Sequence, residues 1–302
     1  MNSAPRVKVI HIYQRSRNGY LLFYSISDFL VFFSIICHEA RRYGVRVIGV
    51  CPMYDHLHVL VECSNPNRLS CFVREYSKTY AREFNHTVGE EGNLFESCFG
   101  RAEREGLKEV RSACSYLYNN PGEKYLCKRA EEYRWTFLAY AISRHPFSEP
   151  LALSSASAKM RRAVKTVDYY RKYDKPLRHK WLQAMFDGLD LREKQQLTDY
   201  IITSYNCIDY KRLLSFYDGS YENACLAFAS NQGKEFGIKE EFVPGNHKIY
   251  IQLCNLIRRR FGICHVKDIF SLPLPERKAI VAFCRSMTNI SNHQLVKFFR
   301  GG

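Results

Sequence analysis

Two histidines separated by one aliphatic residue, His56 and His58, lie in a largely apolar run from Val50 to Glu62. Side chains alternate faces along a strand, so the imidazoles point one way while Leu57, Val59 and Val61 point the other. Two imidazoles side by side are what a pair of metal ligands needs, although a hydrogen-bonded core pair looks the same in sequence. Farther along, Tyr116 and Asn120 are four residues apart, where Leu107, Val110, Cys114 and Leu117 recur at helical spacing. Pro121 disfavours helical geometry at the residue before it and predicts the helix end there. A hydroxyl nucleophile one turn from an amide oxygen can share one metal ion with two histidines. The ion would polarise a phosphodiester while the tyrosine attacks it. Taken alone, the helix reads first as a half-buried aromatic at Tyr116 and a helix-terminal residue at Asn120.

The elements that would position these groups are legible around them. Residues 7–13 predict a strand and Tyr20 to Tyr24 a second one. Ser27 and Asp28 can cap a helix running to about Tyr43, with Gly44 as its stop. Strands are predicted near 46–51 and 55–62. Asn65-Pro66 then starts a helix, with asparagine as cap and proline at the first position. Leu69, Val73, Tyr76, Tyr80 and Phe84 form its inner stripe, while Arg74, Lys78 and Arg82 line another face. That basic row is a candidate phosphate contact or a plain solvated face. Phe95 to Arg104 predicts an edge strand. The order implies an α+β domain, an antiparallel sheet with helices packed on it.

Residues 144–160, with Pro146, Pro150 and a run of small residues, predict a linker between a domain at 1–143 and a region at 161–302. That second region is helical throughout, with helices expected near 161–173, 177–187, 191–206, 207–217, 221–230 and 247–260. Short helices follow near 265–271, 275–287 and 291–300, the last capped by Ser291. The stretch 247–300 resembles a helix-turn-helix unit, and a plain helical bundle fits it equally. Arg258, Arg259 and Arg260 are its candidate DNA contacts.

With 45 Lys and Arg against 30 Asp and Glu, the 302-residue chain carries a formal charge of +15, which points to a polyanionic partner. Aromatics at 14% suit single strands, where bases stack on rings and phosphates meet cations. Twelve cysteines include no Cys-X-X-Cys pair, which argues against a zinc ribbon and for free thiols in a reducing cytosol. No secretory signal is visible. The apolar patch Phe29 to Cys37 is too short to span a bilayer and reads as a buried helix.

The ordered motifs carry a family resemblance. Tyr43 to Glu62 resembles the His-hydrophobic-His region of one-tyrosine HUH endonucleases, and in particular of the REP-associated tyrosine transposases. Ile10 to Arg15 resembles their first strand, Leu69 to Arg74 the opening of their middle helix, Tyr116 to Pro121 their nucleophile helix, and Glu131 to Trp135 their closing segment. The similarity spans roughly residues 5 to 142. It implies a ferredoxin-like, RRM-like core followed by an all-α region. It implies Tyr116 as nucleophile, with His56, His58 and Asn120 holding Mg²⁺ or Mn²⁺. The implied reaction cleaves and rejoins single-stranded DNA beside REP-like hairpins through a 5′-phosphotyrosine. The implied protein is a monomer or homodimer of the bacterial cytoplasm, associated with the nucleoid and not with a membrane, and Arg15 is a further candidate DNA contact. Two features depart from the pattern. Tyr118 is a second tyrosine on the same helix, although Gly122, four residues beyond it, cannot be a ligand. The segment from Gly122 to Cys127 also begins less apolar than the family's. The rival readings are a catalytically idle hairpin-binding protein and a replication initiator or relaxase. Relaxases carry a third histidine in the metal cluster, and no such cluster is present here.

Overall fold

Four short strands, each with an apolar face, pair into one antiparallel sheet in a computed structural model that describes residues 8–96, 98–230 and 246–301. They are β1 (Lys8–Arg15), β2 (Arg46–Pro52), β3 (His56–Glu62) and β4 (Gly100–Glu105). The predicted start at residue 7 lies outside the described residues. Helix α1 (Ile26–Tyr43) joins β1 to β2, and α2 (Pro66–Val88) joins β3 to β4. The order β2-β3-β1-β4 gives the ferredoxin-like βαββαβ arrangement. Helix α3 (Gly106–Glu123) follows β4 and lies against all four strands.

The two sheet faces have different owners. Gln14 accepts hydrogen bonds from Tyr76 Oη at 2.7 Å and Ser77 Oγ at 3.1 Å, so the Gln14 face of β1 looks at α2. His11, Tyr13 and Arg15 point the other way, toward α3. Leu69, Val73, Tyr76, Tyr80 and Phe84 are all buried on the inner side of α2, as their spacing implies. Beside a register shift in β2, Gly49 leaves room for Tyr118: a Cβ there would lie 3.1 Å from the Tyr118 hydroxyl.

Several local expectations need correction. Tyr20 to Tyr24 forms no strand. Its apolar residues are buried as an irregular segment, with Leu22 N–H bonded to Tyr54 O at 2.6 Å. The cap of α1 is Ser25, with Asp28 closing a capping box three residues later, so Ser27 lies inside the helix. Helix α3 runs past Pro121 to Glu123, because a proline in the last turn forfeits only one backbone bond, and Lys124 N–H caps Asn120 O. Leu107 is 43% exposed and leaves the inner stripe to Val110, Cys114 and Leu117.

The rest of the chain is helical: α4 (Ala158–Lys172), α5 (His179–Phe186), α6 (Leu191–Tyr205), α7 (Tyr210–Ser215), α8 (Tyr221–Ser230), α9 (Lys248–Phe261), α10 (Leu274–Met287) and α11 (Asn292–Phe299). These helices pack on the ferredoxin-like unit. Helix α1 is apolar nearly all round, because α2, α5 and α6 also cover it. Ile208 forms an isolated bridge to the outer strand β2. Segment 144–160, predicted as a linker, has no regular structure before α4 but is tied to α6. Phe147 N–H and Ser148 Oγ both bond buried Asp199 at 3.0 Å. All twelve cysteines are free thiols, and no helix among the described residues is long and apolar enough to cross a membrane.

Candidate active site

Alternation along β3 puts His56 and His58 on the face covered by α3, opposite Arg15 and Tyr13 of β1. From above, the i, i+4 spacing of α3 brings Tyr116 and Asn120 down side by side. The Asn120 amide bridges the two histidines. Its oxygen is 3.3 Å from His56 Nε2 and its nitrogen 3.2 Å from His58 Nε2. The Tyr116 ring stands edge-on to His58, with centroids 5.2 Å apart, and 5.7 Å from His11. His58 is fully buried, so the pair does not lie on an open face as the strand pattern implies; α3 closes over it.

A second set of contacts fixes these rings. His58 Nδ1 shares a 3.1 Å hydrogen bond with His11 Nε2. His56 Nδ1–H donates to Asp55 Oδ1 at 2.7 Å, since an ionised carboxylate can only accept. Asp55 Oδ2 accepts from Lys297 Nζ at 2.7 Å, and His247 Nε2 lies 3.7 Å from Asp55 Oδ1. Burial alone would raise the Asp55 carboxyl pKa; the hydrogen bond and charge of His56, with His247 and Lys297, hold it well below the usual range. Burial keeps His58 well below the ordinary histidine range, helped by the neighbouring charges of His56 and His11. Burial also takes His247 down to about 3.

The donor chemistry suits a cation. With the His56 proton held on Nδ1, its Nε2 lone pair faces the Asn120 oxygen, so two acceptors meet at 3.3 Å. Flipping the amide removes the conflict: its nitrogen then donates to His56 Nε2, and its oxygen accepts from His58 Nε2–H while His58 Nδ1 accepts from His11 Nε2–H. Among the described residues no three His, Cys, Asp or Glu side chains group as a metal cluster, so the amide oxygen has to complete the set. Two imidazoles and an amide oxygen fit Mn²⁺ better than Mg²⁺.

Tyr118 sits quite differently from Tyr116. It is fully buried, stacked on Phe228 at 4.5 Å, with burial raising its hydroxyl pKa well above the usual value. The candidate DNA contacts are dispersed. Arg15 is half-buried opposite His56. Arg74, Lys78 and Arg82 are exposed along an open groove of about 770 Å³ bounded by Phe95 and Phe99, with Glu90, Glu91 and Glu96 also on its walls. That groove lies on the α2 side of the sheet, away from Tyr116. Arg258 is turned back to Cys264 O, whereas Arg259 and Arg260 are exposed. Lys297 and Arg300 pair with Asp55 and Glu90.

Sequence reasoning did not bring His11, Asp55, His247 or Lys297 into this site. Strand alternation from Tyr13 and the contiguity of Asp55 with His56 were the available signals for two of these. Nothing local marks the other two.

The family model described as "Transposase IS200 like" matches residues 13–119. A solved REP-associated tyrosine transposase bound to a REP hairpin is similar at 15% identity, over 52% of this chain and 94% of that one, with a TM-score of 0.38. No curated protein matches. The resemblance carried by the ordered motifs thus holds over residues 13–119, where this chain matches the IS200-like transposases.

Proposed function

We propose that the protein is a metal-dependent endonuclease and strand transferase acting on single-stranded DNA beside hairpins, with Tyr116 as nucleophile. The observation that carries this reading is the convergence of His56, His58 and Asn120 beneath the Tyr116 ring. His56, His58 and Asn120 would hold a divalent ion, which when bound supplies Lewis-acid polarisation of a nonbridging phosphate oxygen. The Tyr116 oxygen attacks phosphorus, the bond to the 3′ oxygen breaks, and that oxygen leaves as a hydroxyl. The tyrosine gives up its proton, and the 5′-phosphotyrosine keeps the bond energy for rejoining. His11 orients His58 through their shared bond, and Asp55 orients His56. Among neighbours on one helix, the buried Tyr118 has no route to a phosphodiester.

The test is covalent adduct formation on labelled single-stranded hairpins with Mn²⁺. Tyr116→Phe is expected to abolish the adduct and leave hairpin binding within about twofold, since only a hydroxyl is lost. Tyr118→Phe is expected to keep it. Adduct from Tyr116→Phe but not from Tyr118→Phe would overturn the assignment. Hairpins are also expected to bind more tightly than the matching duplex at physiological salt, and equal affinity would reduce the interaction to charge attraction.

A further inference from the structure

We propose that Asp55 is a positioning residue for His56, and that Lys297 holds Asp55 in that role with His247 packed beside it, so that α11 completes the candidate active site. This rests on the reading of His56 as a metal ligand. The two carboxylate oxygens divide the work: Oδ1 takes the His56 Nδ1–H at 2.7 Å, and Oδ2 takes the Lys297 ammonium at 2.7 Å. The side chains of Asp55, Lys297 and His247 are only 11%, 14% and 5% exposed. In that setting a carboxylate that lost its lysine would be desolvated without compensation and would seek other partners. Its hold on His56 is what fixes the proton on Nδ1 and leaves Nε2 turned to Asn120.

The partners are themselves anchored. Lys297 runs past Gly19, where an added Cβ would stand 3.1 Å from its Cε, and its carbonyl accepts from Leu21 N–H at 3.3 Å. His247, at the start of α9, donates its backbone N–H to Lys124 O at 3.1 Å, and Lys124 caps the helix that carries Tyr116 and Asn120. Two separate segments of the helical region therefore meet at one carboxylate beside the candidate ligand.

The test uses full-length, metal-free protein labelled with ¹⁵N-histidine. Long-range ¹H–¹⁵N spectra report which ring nitrogen of His56 carries the proton, and Mn²⁺ affinity is measured in parallel by electron paramagnetic resonance. Wild type is expected to hold the proton on Nδ1. Lys297→Met is expected to mix the two tautomers and weaken Mn²⁺ binding by about ten- to a hundredfold, with Lys297→Arg restoring most of the loss. Asp55→Ala removes the acceptor outright and carries the test if Lys297→Met fails to fold. Unchanged His56 signals and unchanged Mn²⁺ affinity in a folded variant would overturn the proposal. If wild type binds no Mn²⁺, the ligand reading falls, while the response of the His56 tautomer to Lys297→Met still decides the clamp.

Discussion

Asp28 and Asp55 are two buried aspartates, each joined to a histidine and to a lysine from the carboxy-terminal half. Asp28 Oδ2 accepts the backbone N–H groups of Tyr24 and Ser25, and Oδ1 accepts His179 Nε2 at 2.8 Å and Lys267 Nζ at 2.5 Å. The far nitrogen of His179 has no hydrogen-bond partner among the described residues, so that chain of bonds ends inside the protein. Asp55 passes its bond through His56 to Asn120 and so to His58. The same three residue types make a rivet in one place and the support of a candidate reaction centre in the other. What separates them is where the second imidazole nitrogen points.

The largest expected effect comes from breaking both clusters at once. A cut near residue 150 removes Lys267, His179, Lys297 and His247 together and strips α6 from α1. The sequence predicts that fragment 1–150 folds as a separate domain; the contacts lead us to expect an unfolded or aggregated fragment. A soluble fragment with cooperative unfolding by circular dichroism would bear out the two-domain picture.

Next in size is the contrast between the two lysines. Lys267→Met leaves Asp28 buried without its strongest counter-charge and is expected to cost about 3–5 kcal/mol in denaturant unfolding. It should leave the His56 tautomer and Mn²⁺ affinity alone. Loss of metal affinity in Lys267→Met at preserved fold would erase the distinction between the clusters. His58→Ala, at a fully buried and hydrogen-bonded position, is expected to lose about 1–3 kcal/mol along with activity. His56→Ala should lose activity at a smaller cost in stability.

The smallest effect is on pH dependence. Burial holds the folded pKa values of His58, His179 and His247 below their unfolded value of about 6.5. The unfolded chain therefore binds more protons, and stability falls as pH drops below about 6.5. Burial would raise the Asp28 carboxyl, but the Lys267 charge and the His179 hydrogen bond bring it well below the usual range, as partners also do for Asp55. Both depressed carboxyls add stability above an unfolded pKa of about 3.9, which is lost as pH falls further. Denaturant midpoints should thus decline in two limbs. His247→Gln should flatten the upper limb and Asp28→Asn the lower one. A midpoint constant between pH 7 and pH 5 would contradict the buried neutral histidines.

Much of this arrangement was legible because its signals are local. Asn65-Pro66, Gly44 and Ser291 mark helix ends by side-chain capping and left-handed backbone, which depend on neighbours in the chain. The inner stripe of α2 and the shared face of His56 and His58 follow from periodicity. Tyr20 to Tyr24 misled because an apolar run reports burial, and burial does not require a strand. Lys297 and His247 were out of reach for a different reason. Their contacts with Asp55 join residues far apart in the chain, and a contact formed by tertiary packing leaves no spacing to read.

Gly49 carries a consequence for the seating of the helix that bears both tyrosines. Tyr116 and Tyr118 sit about 200° apart around α3, at about 100° per residue. Tyr118 Oη is seated over the bare backbone of Gly49, so that contact sets the helix like a key in a keyway. A methyl group in that keyway would stand 3.1 Å from the Tyr118 hydroxyl, so Tyr118 would have to give by a few tenths of an ångström. A residue with no functional group, on a strand that carries none of the candidate ligands, thereby bears on how the helix of Tyr116 is seated.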